Sequence, residues 1–377
     1  MYNRIVAISL YLTSALCHAQ GSGRVSDQDC KVYLDQHWQS PEKYIVGKFQ
    51  RYDVVLLGEF HRIKHDVALV QTLIPLLYQA GVYTVGIEFG ESDYQPRVDS
   101  VLNAENYDES AVRAMMRNWY VHWGYQDYED IYRKAWEFNQ SLPRGARKFR
   151  VVNLNSNENA KELAVRTSPQ AIPQAGLEAE QHMADVVSKE ILLKGEKALI
   201  YCGSNHAVTK YHTPGYDSTF THLVPSTKNR LGNLIEEQIP GRTFFIFLHS
   251  PWTSRDLKSI LLPVHGVIDT LMQKYQEQRV GFDVIGTPFA RLRDDSTVYA
   301  IGSDNFELGK FCDGYIFQKP ISNYEGCTVD TLFLSGIDPN RLFDIFPNLD
   351  KGQFSPAVFY AELANDVRFD RQFAGIK

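Results

Sequence analysis

Cysteine, long apolar runs and basic clusters are all scarce in this sequence, and each scarcity argues against a class of protein. Five cysteines occur in 377 residues, and none of them stands in the close pairs of a zinc-thiolate site. The 39 Lys and Arg residues are outnumbered by 45 Asp and Glu residues, which gives a formal net charge of −6. No Lys/Arg-rich run occurs, so the basic face of a nucleic-acid-binding protein is not expected.

Three common catalytic signatures are also missing. There is no Gly-x-Ser-x-Gly elbow, which argues against a serine hydrolase of the α/β-hydrolase type. Neither a Gly-x-x-x-x-Gly-Lys phosphate loop nor a His-Glu-x-x-His zinc helix occurs. What remains is a chain that is 44% hydrophobic and long enough to form one large domain.

The amino terminus is typical of a signal peptide. Arg4 precedes an apolar stretch over residues 5–16, and Cys17, His18 and Ala19 provide small residues at the −3 and −1 positions of a cleavage site. The apolar stretch is shorter than the roughly 20 residues of a membrane span. We therefore expect cleavage after Ala19 and export to the periplasm or the extracellular space, with no transmembrane segment in the mature chain.

Four cysteines remain after this cleavage, and an exported chain can bridge them. Cys312 and Cys327 flank a loop-like stretch around Pro320, and their disulfide is the pairing we expect. A bond between Cys30 and Cys202 is left open, because a buried free cysteine is equally common at such a position.

Strand-like and helix-like segments alternate along the chain. Residues 65–79 and 175–193 carry apolar side chains at helical spacing and predict two helices. The strand, helix and strand within residues 52–89 form a βαβ unit, which indicates a parallel sheet. The fold class is therefore α/β with a partly parallel central sheet. Strands are predicted at residues 52–57, 82–89, 149–154, 197–202, 243–248, 284–285 and 314–318.

No Ser/Gly-rich or Pro-rich linker divides the chain, so we expect a lead-in over residues 20–50 and one domain over residues 51–377. A helical insertion at residues 91–147 interrupts the alternation, and residues 330–377 form a C-terminal extension. The insertion concentrates aromatic residues, including Trp119 and Trp123, next to His122. These side chains either pack as core or line a cleft in which they contact a substrate.

Polar groups follow three of the predicted strands where each strand ends. Glu59 and His61 come after residues 52–57, Glu88 closes residues 82–89, and His206 comes after residues 197–202. Because ligands of parallel sheets bind at the carboxyl ends of the strands, we expect these four side chains to meet and form an active site. A carboxylate at the end of a buried strand also needs a partner, which an imidazole provides.

Four neighbouring residues are weaker candidates. His65 lies one helical turn beyond His61 and is a possible additional metal ligand. Asn205 either contacts the substrate or caps a helix. Asn153 and Asn155 at a third strand end either bind the substrate or form a turn.

Two kinds of chemistry fit Glu59, His61, Glu88 and His206. The four residues can bind a divalent metal such as manganese, zinc or cobalt and activate water on it. Alternatively, one imidazole is a general base for water while the other polarises the substrate carbonyl. The sequence leaves both open.

The residues around these motifs resemble the erythromycin esterase, ChaN and Tiki superfamily over roughly residues 50–320. The likeness rests on the two Gly-x-x-His motifs, on the strand ending in Glu88, on residues 181–185 before the second motif and on two late strands. It implies helices on both faces of the sheet. It also implies that Glu59, His61, Glu88 and His206 match catalytic or metal-binding positions. Asn153 or Asn155 stands where an acidic residue would be expected.

The superfamily includes macrolide esterases, metal-dependent proteases and haem-binding lipoproteins, so the resemblance implies two functions. The first is a secreted hydrolase of ester or amide bonds that acts on a small molecule or a peptide. The second is a haem or metal carrier without catalysis, for which His122 with Tyr120 or Tyr125 is the best ligand set. The oligomeric state is left open.

Overall fold

The computed structural model of the protein describes residues 26–117, 123–156, 171–216, 222–338 and 355–376, with backbone only for residues 171–177. The expected signal peptide and Ala19 lie outside these residues. Two helices, α1 (Asp27–His37) and α2 (Pro41–Lys48), precede the first strand and form the predicted lead-in. Ser26 and Ser40 begin these helices by accepting hydrogen bonds from backbone N–H groups of the first turn.

A seven-stranded sheet forms the centre of the fold, in the order β10-β11-β7-β1-β4-β2-β3. Five of its six strand pairs are parallel, and only β10 and β11 are antiparallel. Two small two-stranded sheets accompany it. The strands are β1 (Val54–Glu59), β2 (Thr84–Glu91), β3 (Arg150–Asn155), β4 (Ala198–Gly203), β5 (Gly215–Tyr216), β6 (Leu223–Val224), β7 (Thr243–Leu248), β8 (Trp252–Thr253), β9 (Ile260–Leu261), β10 (Val280–Asp283) and β11 (Gly314–Phe317).

Helices connect the parallel strands and pack against the sheet. The remaining helices are α3 (Lys64–Gln79), α4 (Gln95–Asn103), α5 (Glu109–Met116), α6 (Gln126–Ser141), α7 (Ala171–Glu190), α8 (Ser204–Ala207), α9 (Leu231–Gln238), α10 (Val267–Lys274), α11 (Leu308–Phe311), α12 (Pro356–Asp366) and α13 (Phe369–Gln372). Short 3-10 turns lie at Ser92–Tyr94, Leu192–Lys194, Pro263–Gly266, Pro288–Arg291, Val298–Ala300 and Ile321–Asn323. No helix of the described segments is long and apolar enough to cross a membrane.

The sheet has an apolar layer on each face, because its central strands are hydrophobic at every position. In β1, Val55 and Leu57 pack with α3 and α6, whereas Val54 and Leu56 pack with α7 and α9. We call these the α3 face and the α7 face. Since successive side chains of a strand point to opposite faces, odd-numbered residues of β1 and β4 lie on the α3 face and even-numbered residues on the α7 face.

The predicted α/β class with a mostly parallel sheet is confirmed. Six of the seven predicted strands are present with small differences at their ends. The strand predicted at residues 284–285 is wrong, because β10 ends at Asp283, where its antiparallel register with Gly314 of β11 ends. Ile285 is half exposed beyond the sheet.

The predicted disulfide between Cys312 and Cys327 is also wrong, because both residues are free thiols. Cys312 packs in the apolar layer of the α7 face, and Cys327 packs in that of the α3 face. Because the two layers lie on opposite faces, the sheet separates the two sulfur atoms. Cys30 and Cys202 are free and buried as well.

The strand order brings the expected site together. After β1, the chain forms β2 and β3 with a gap of one strand beside β1. It then returns, and β4 fills this gap between β1 and β2. The carboxyl ends of the neighbouring parallel strands β1, β4 and β2 therefore meet at one rim of the sheet. Glu59 is in register with Gly203 there.

Gly58 permits the close packing at this rim. A Cβ atom at Gly58 would lie 2.6 Å from Phe245 Cε2 and 2.9 Å from Ser204 Cα, and the second is a backbone atom that cannot rotate away. We expect Gly58→Ala to lower the free energy of unfolding by about 1–3 kcal/mol, measured by urea denaturation. Gly47→Ala in α2 is the matched control, since no described atom lies within 4 Å of its Cβ position. Equal stability of Gly58→Ala and the parent protein would contradict the close approach.

Candidate active site

Two carboxylates reach the rim of the sheet from opposite faces. Glu59 continues the α3 face of β1, and Glu88 lies on the α7 face of β2, because Ile87 before it packs on the α3 face. Only 2% of Glu59 and 8% of Glu88 is exposed. Each of these nearly buried acids needs partners, and each is paired with one of the two predicted histidines.

Glu59 holds His61 on the α3 face. The His61 Nδ1 lies 2.8 Å from Glu59 Oε1. The hydroxyl group of Tyr128 donates to the Glu59 carboxylate at 2.9–3.0 Å, and Tyr201 donates to Glu59 Oε2. Two tyrosines therefore fix the carboxylate, and the carboxylate fixes the imidazole with Nδ1 occupied. The Nε2 atom is the nitrogen that remains for a water molecule or a substrate.

His206 lies between two carboxylates on the α7 face. Its Nε2 is 3.2 Å from Glu88 Oε1, and its Nδ1 is 2.8 Å from Glu180 Oε1. Glu88 also accepts the backbone N–H of Gly203 at 2.7 Å. Glu180, which is 1% exposed, accepts further hydrogen bonds from Arg230 at 2.9 Å and from the Leu231 N–H at 2.8 Å.

These contacts give His206 a positive charge. Burial opposes the charged imidazolium, but Glu180 and Glu88 outweigh it and raise the pKa of His206 well above its ordinary value. Burial likewise opposes ionised carboxylates, but the His206 cation lowers the pKa of Glu88 and of Glu180. The pKa of His61 is also raised, but less strongly than that of His206. Burial lowers its pKa, and the Glu59 hydrogen bond together with the Glu88 charge reverses this into a net rise.

The imidazole rings of His61 and His206 both lie close to Gly203. A Cβ atom on Gly203 would lie 3.1 Å from His61 Nε2 and 3.4 Å from His206 Cδ2. Both rings therefore pack against the position that a side chain on Gly203 would occupy. A larger residue at this position would have to displace at least one ring.

An open cleft of about 380 Å³ lies over this rim. Asn205, Thr253 and Tyr299 border both this cleft and an adjoining cavity of about 700 Å³. The cleft is lined by Glu59, Phe60, His61, Arg62, Gly203, Ser204, Asn205, His206, Phe247, Ser250, Pro251, Trp252, Thr253, Tyr299, Asp366 and Gln372.

The aromatic insertion serves as core and also supports the site. Tyr125, Tyr128 and Tyr132 are fully buried. Trp123 lies edge-on to His61, with 5.0 Å between the ring centroids. Trp119 and His122, predicted to contact a substrate, lie outside the described residues.

The weaker candidates take other positions. His65 does not line the cleft; it packs edge-on against Tyr324 at 4.7 Å, and burial with nearby cations lowers its pKa to about 3. Asn205 does line the cleft, where its Oδ1 accepts a hydrogen bond from Tyr299 at 3.2 Å.

The two strand-end asparagines are bonded within the protein. Asn153 is fully buried, accepts from Tyr132 at 2.7 Å and donates to the Glu91 carbonyl at 3.1 Å. Asn155 accepts the N–H of Ser156 at 2.9 Å, which is the turn role considered for it. A substrate contact by either residue stays a prediction.

Sequence reasoning missed Glu180, Tyr128, Tyr201 and Arg230. A signal for Glu180 was present, because it shares the buried side of helix α7 with Met183, Ala184 and Val187 at spacings of three, four and seven residues. A carboxylate on the buried side of a helix needs a partner, and the Gly-x-x-His motif after the next strand provides one.

The donor set does not fit the predicted divalent metal. No group of three His, Cys, Asp or Glu side chains among the described residues is arranged to hold one. Both ring nitrogens of His206 face carboxylates, and His61 has only Nε2 remaining. The arrangement instead pairs each acid with an imidazole.

Comparison with known families supports the resemblance. A family model described as haem-binding uptake, Tiki superfamily, ChaN matches residues 45–143, a segment that includes Glu59, His61 and Glu88. The similarity to this superfamily is confirmed. No curated protein matches the chain.

Solved structures are similar to this chain at low sequence identity. A succinoglycan biosynthesis protein has a TM-score of 0.54 and 11% identity, with 78% of this chain and 97% of that chain covered. An erythromycin esterase variant in its open conformation has a TM-score of 0.46 and 10% identity, with coverages of 74% and 97%. ChaN of Campylobacter jejuni, whose structure shows cofacial haem binding, has a TM-score of 0.35 and 16% identity, with coverages of 54% and 84%. The succinoglycan biosynthesis protein supports the α/β fold and nothing beyond the fold.

The charge of His206 provides a test of the site. In Glu180→Gln one of the two flanking carboxylates is lost, so the pKa of His206 should fall toward the ordinary 6.5. NMR titration of the His206 ring carbons measures this directly. Because the folded-state pKa is raised, protonated His206 stabilises the protein below pH 6.5, and this contribution is lost as the pH rises through the folded-state pKa.

Glu190→Gln, on the same helix, is the matched control, since Glu190 binds Lys194 and Arg150 instead. An unchanged His206 titration in Glu180→Gln would show that Glu180 does not set the charge of this histidine.

Proposed function

We propose that this protein is a hydrolase that cleaves ester or amide bonds with water activated by His61. The observation that carries the proposal is the unequal pairing of the two histidines around Gly203. His61 has one carboxylate partner and an available Nε2, whereas His206 has two carboxylate partners. This inequality matches the division of labour between a general base and a fixed positive charge.

His61 is the general base. Glu59 accepts a hydrogen bond from the Nδ1–H group of His61. The neutral ring therefore carries its lone pair on Nε2, beside Gly203. Water that attacks a substrate carbonyl transfers its proton to this atom, and Glu59 stabilises the imidazolium that forms. When the carbon–oxygen or carbon–nitrogen bond then breaks, His61 returns the proton to the leaving group.

His206 is the electrostatic partner. Its imidazolium lies beside the cleft in a position fixed by Glu88 and Glu180. As water attacks, negative charge develops on the carbonyl oxygen, and a preorganised cation lowers the energy of that state without reorganising. Glu88 also holds the N–H of Gly203, so it fixes the backbone between the two rings.

The cleft and the amino terminus support the choice of substrate class and compartment. A cleft of about 380 Å³ next to a cavity of about 700 Å³ has the size of pockets that bind small molecules or peptide segments. The signal-like residues 1–19 support export of the enzyme.

Substitution of the base and of the electrostatic pair tests the proposal. We expect His61→Ala to lower kcat/KM by about 10²–10⁴-fold, because the water loses its proton acceptor. Glu88→Gln should lower it by about a hundredfold, because His206 loses one of the acids that hold its charge. The assay is a panel of p-nitrophenyl esters and chromogenic peptides.

His37→Ala on α1 is the control, since this exposed histidine lies outside the cleft lining. Turnover that survives unchanged in both His61→Ala and Glu88→Gln would sink the proposal.

Haem binding is the second candidate, favoured by the description of the matching family. Of its candidate ligands, His122 and Tyr120 lie outside the described residues. Tyr125 does not fit the role, because it is fully buried and its hydroxyl donates to the Leu363 carbonyl at 3.2 Å.

A haemin titration separates the two candidates. For a hydrolase, the purified protein should give no saturable shift of the haemin Soret band. A shift that saturates at a fixed stoichiometry, together with an inactive ester and peptide panel, would favour the carrier.

A further inference from the structure

Arg62, the residue after His61, has an unusual backbone. Its φ angle is 73°, in the left-handed region that side chains other than glycine rarely occupy. The surrounding structure fixes this conformation: its N–H donates to the Tyr128 hydroxyl at 2.8 Å, and its carbonyl accepts from the Cys327 N–H at 2.9 Å. Such strain persists where neighbouring contacts impose it, and it is concentrated at functional sites.

The conformation places the guanidinium in the wall of the cleft. Arg62 lines the cleft with His61 and His206, and its guanidinium carbon lies 5.9 Å from the Trp123 ring centroid and 5.6 Å from that of Tyr125. Its Nε atom is buried, and no described residue accepts a hydrogen bond from it. The cation is therefore held on aromatic rings, and its Nε–H has no acceptor among the described residues.

The anion that faces Arg62 comes from the C-terminal segment. Asp366, the last residue of α12, lies 3.4 Å from Arg62 between Oδ2 and Nη2, and its side chain is 43% exposed. Ion pairs that solvent reaches, as it does here with side-chain exposures of 22% for Arg62 and 43% for Asp366, contribute little to stability. The Asp366 carboxylate is thus a weakly held occupant that another carboxylate can replace.

We propose that Arg62 forms an anion-binding subsite and that the substrate carries a carboxylate close to its scissile bond. Asp366 occupies this subsite in the substrate-free protein and competes with the substrate. The guanidinium fork matches a carboxylate, and a carboxylate is the group found beside it. The proposal rests on the proposed hydrolase function, for which it names a substrate class.

Matched esters test the subsite through turnover. The p-nitrophenyl monoester of glutaric acid is anionic, and p-nitrophenyl butyrate is neutral. The readout is the ratio of their kcat/KM values after subtraction of the enzyme-free rate. We expect Arg62→Gln to lower the anionic-to-neutral ratio about tenfold. Asp366→Asn should raise the ratio, and the double variant should behave like Arg62→Gln.

Arg368→Gln is the matched control, because this exposed arginine pairs with Asp370 outside the cleft lining. The ratio should not change in this variant. Thermal unfolding of all variants checks for a structural role. If Arg62→Gln lowers Tm and leaves the ratio unchanged, the ion pair only fastens the C-terminal helix and the subsite is overturned.

Calorimetric titration with glutarate tests the subsite without turnover. We expect saturable binding that weakens about tenfold in Arg62→Gln and tightens in Asp366→Asn. If no ester is cleaved but glutarate binding depends on Arg62, the hydrolase proposal fails and the subsite stands. If esters are cleaved while ratio and glutarate affinity are the same with and without Arg62, the subsite fails and the hydrolase proposal stands.

Discussion

The placement of His206 between two buried carboxylates is the interaction on which the site depends. Glu88 and Glu180 are almost completely shielded from water, and two such anions would be costly without a cation between them. The imidazolium neutralises part of this charge, and Arg230 and the Gly203 N–H satisfy further oxygen lone pairs. The histidine is consequently fixed in position and in charge before any substrate arrives, which is the condition for electrostatic catalysis.

The sheet explains how two histidines with different partners meet. Glu59 of β1 and Glu88 of β2 lie on opposite faces of the sheet, on the two strands that flank β4, so their apolar surroundings differ. The rings come together only at the rim, next to the position that a Gly203 side chain would occupy. The Glu59–His61 pair and the Glu88–His206 pair thus meet at one glycine, which has no side chain to keep them apart. The proposed reaction uses one imidazole as the base and the other as a fixed charge, although the pKa of both histidines is raised.

The sequence was sufficient for features that depend on local patterns, and insufficient for those that depend on which face a residue occupies. Glu59, His61, Glu88 and His206 were predicted because each follows an apolar strand of a parallel sheet. Their partners were missed because Glu180 and the tyrosines come from a helix, an insertion and a strand interior, whose docking no short motif encodes. The disulfide error has the same origin: spacing along the chain made Cys312 and Cys327 plausible partners, whereas the two faces of the sheet keep them apart.

The chemistry and the selectivity of the cleft come from different parts of the fold. Apart from Glu180 on helix α7, the acids and imidazoles lie on strand ends and adjoining short turns, beside the two apolar layers. The walls come from residues 250–253, from Tyr299 and from the C-terminal helices, where Phe369 and Phe373 pack edge-on against Phe60 beside His61. Since loops and terminal segments tolerate change better than a packed sheet, such a division allows substrate preference to vary while the reaction centre is kept.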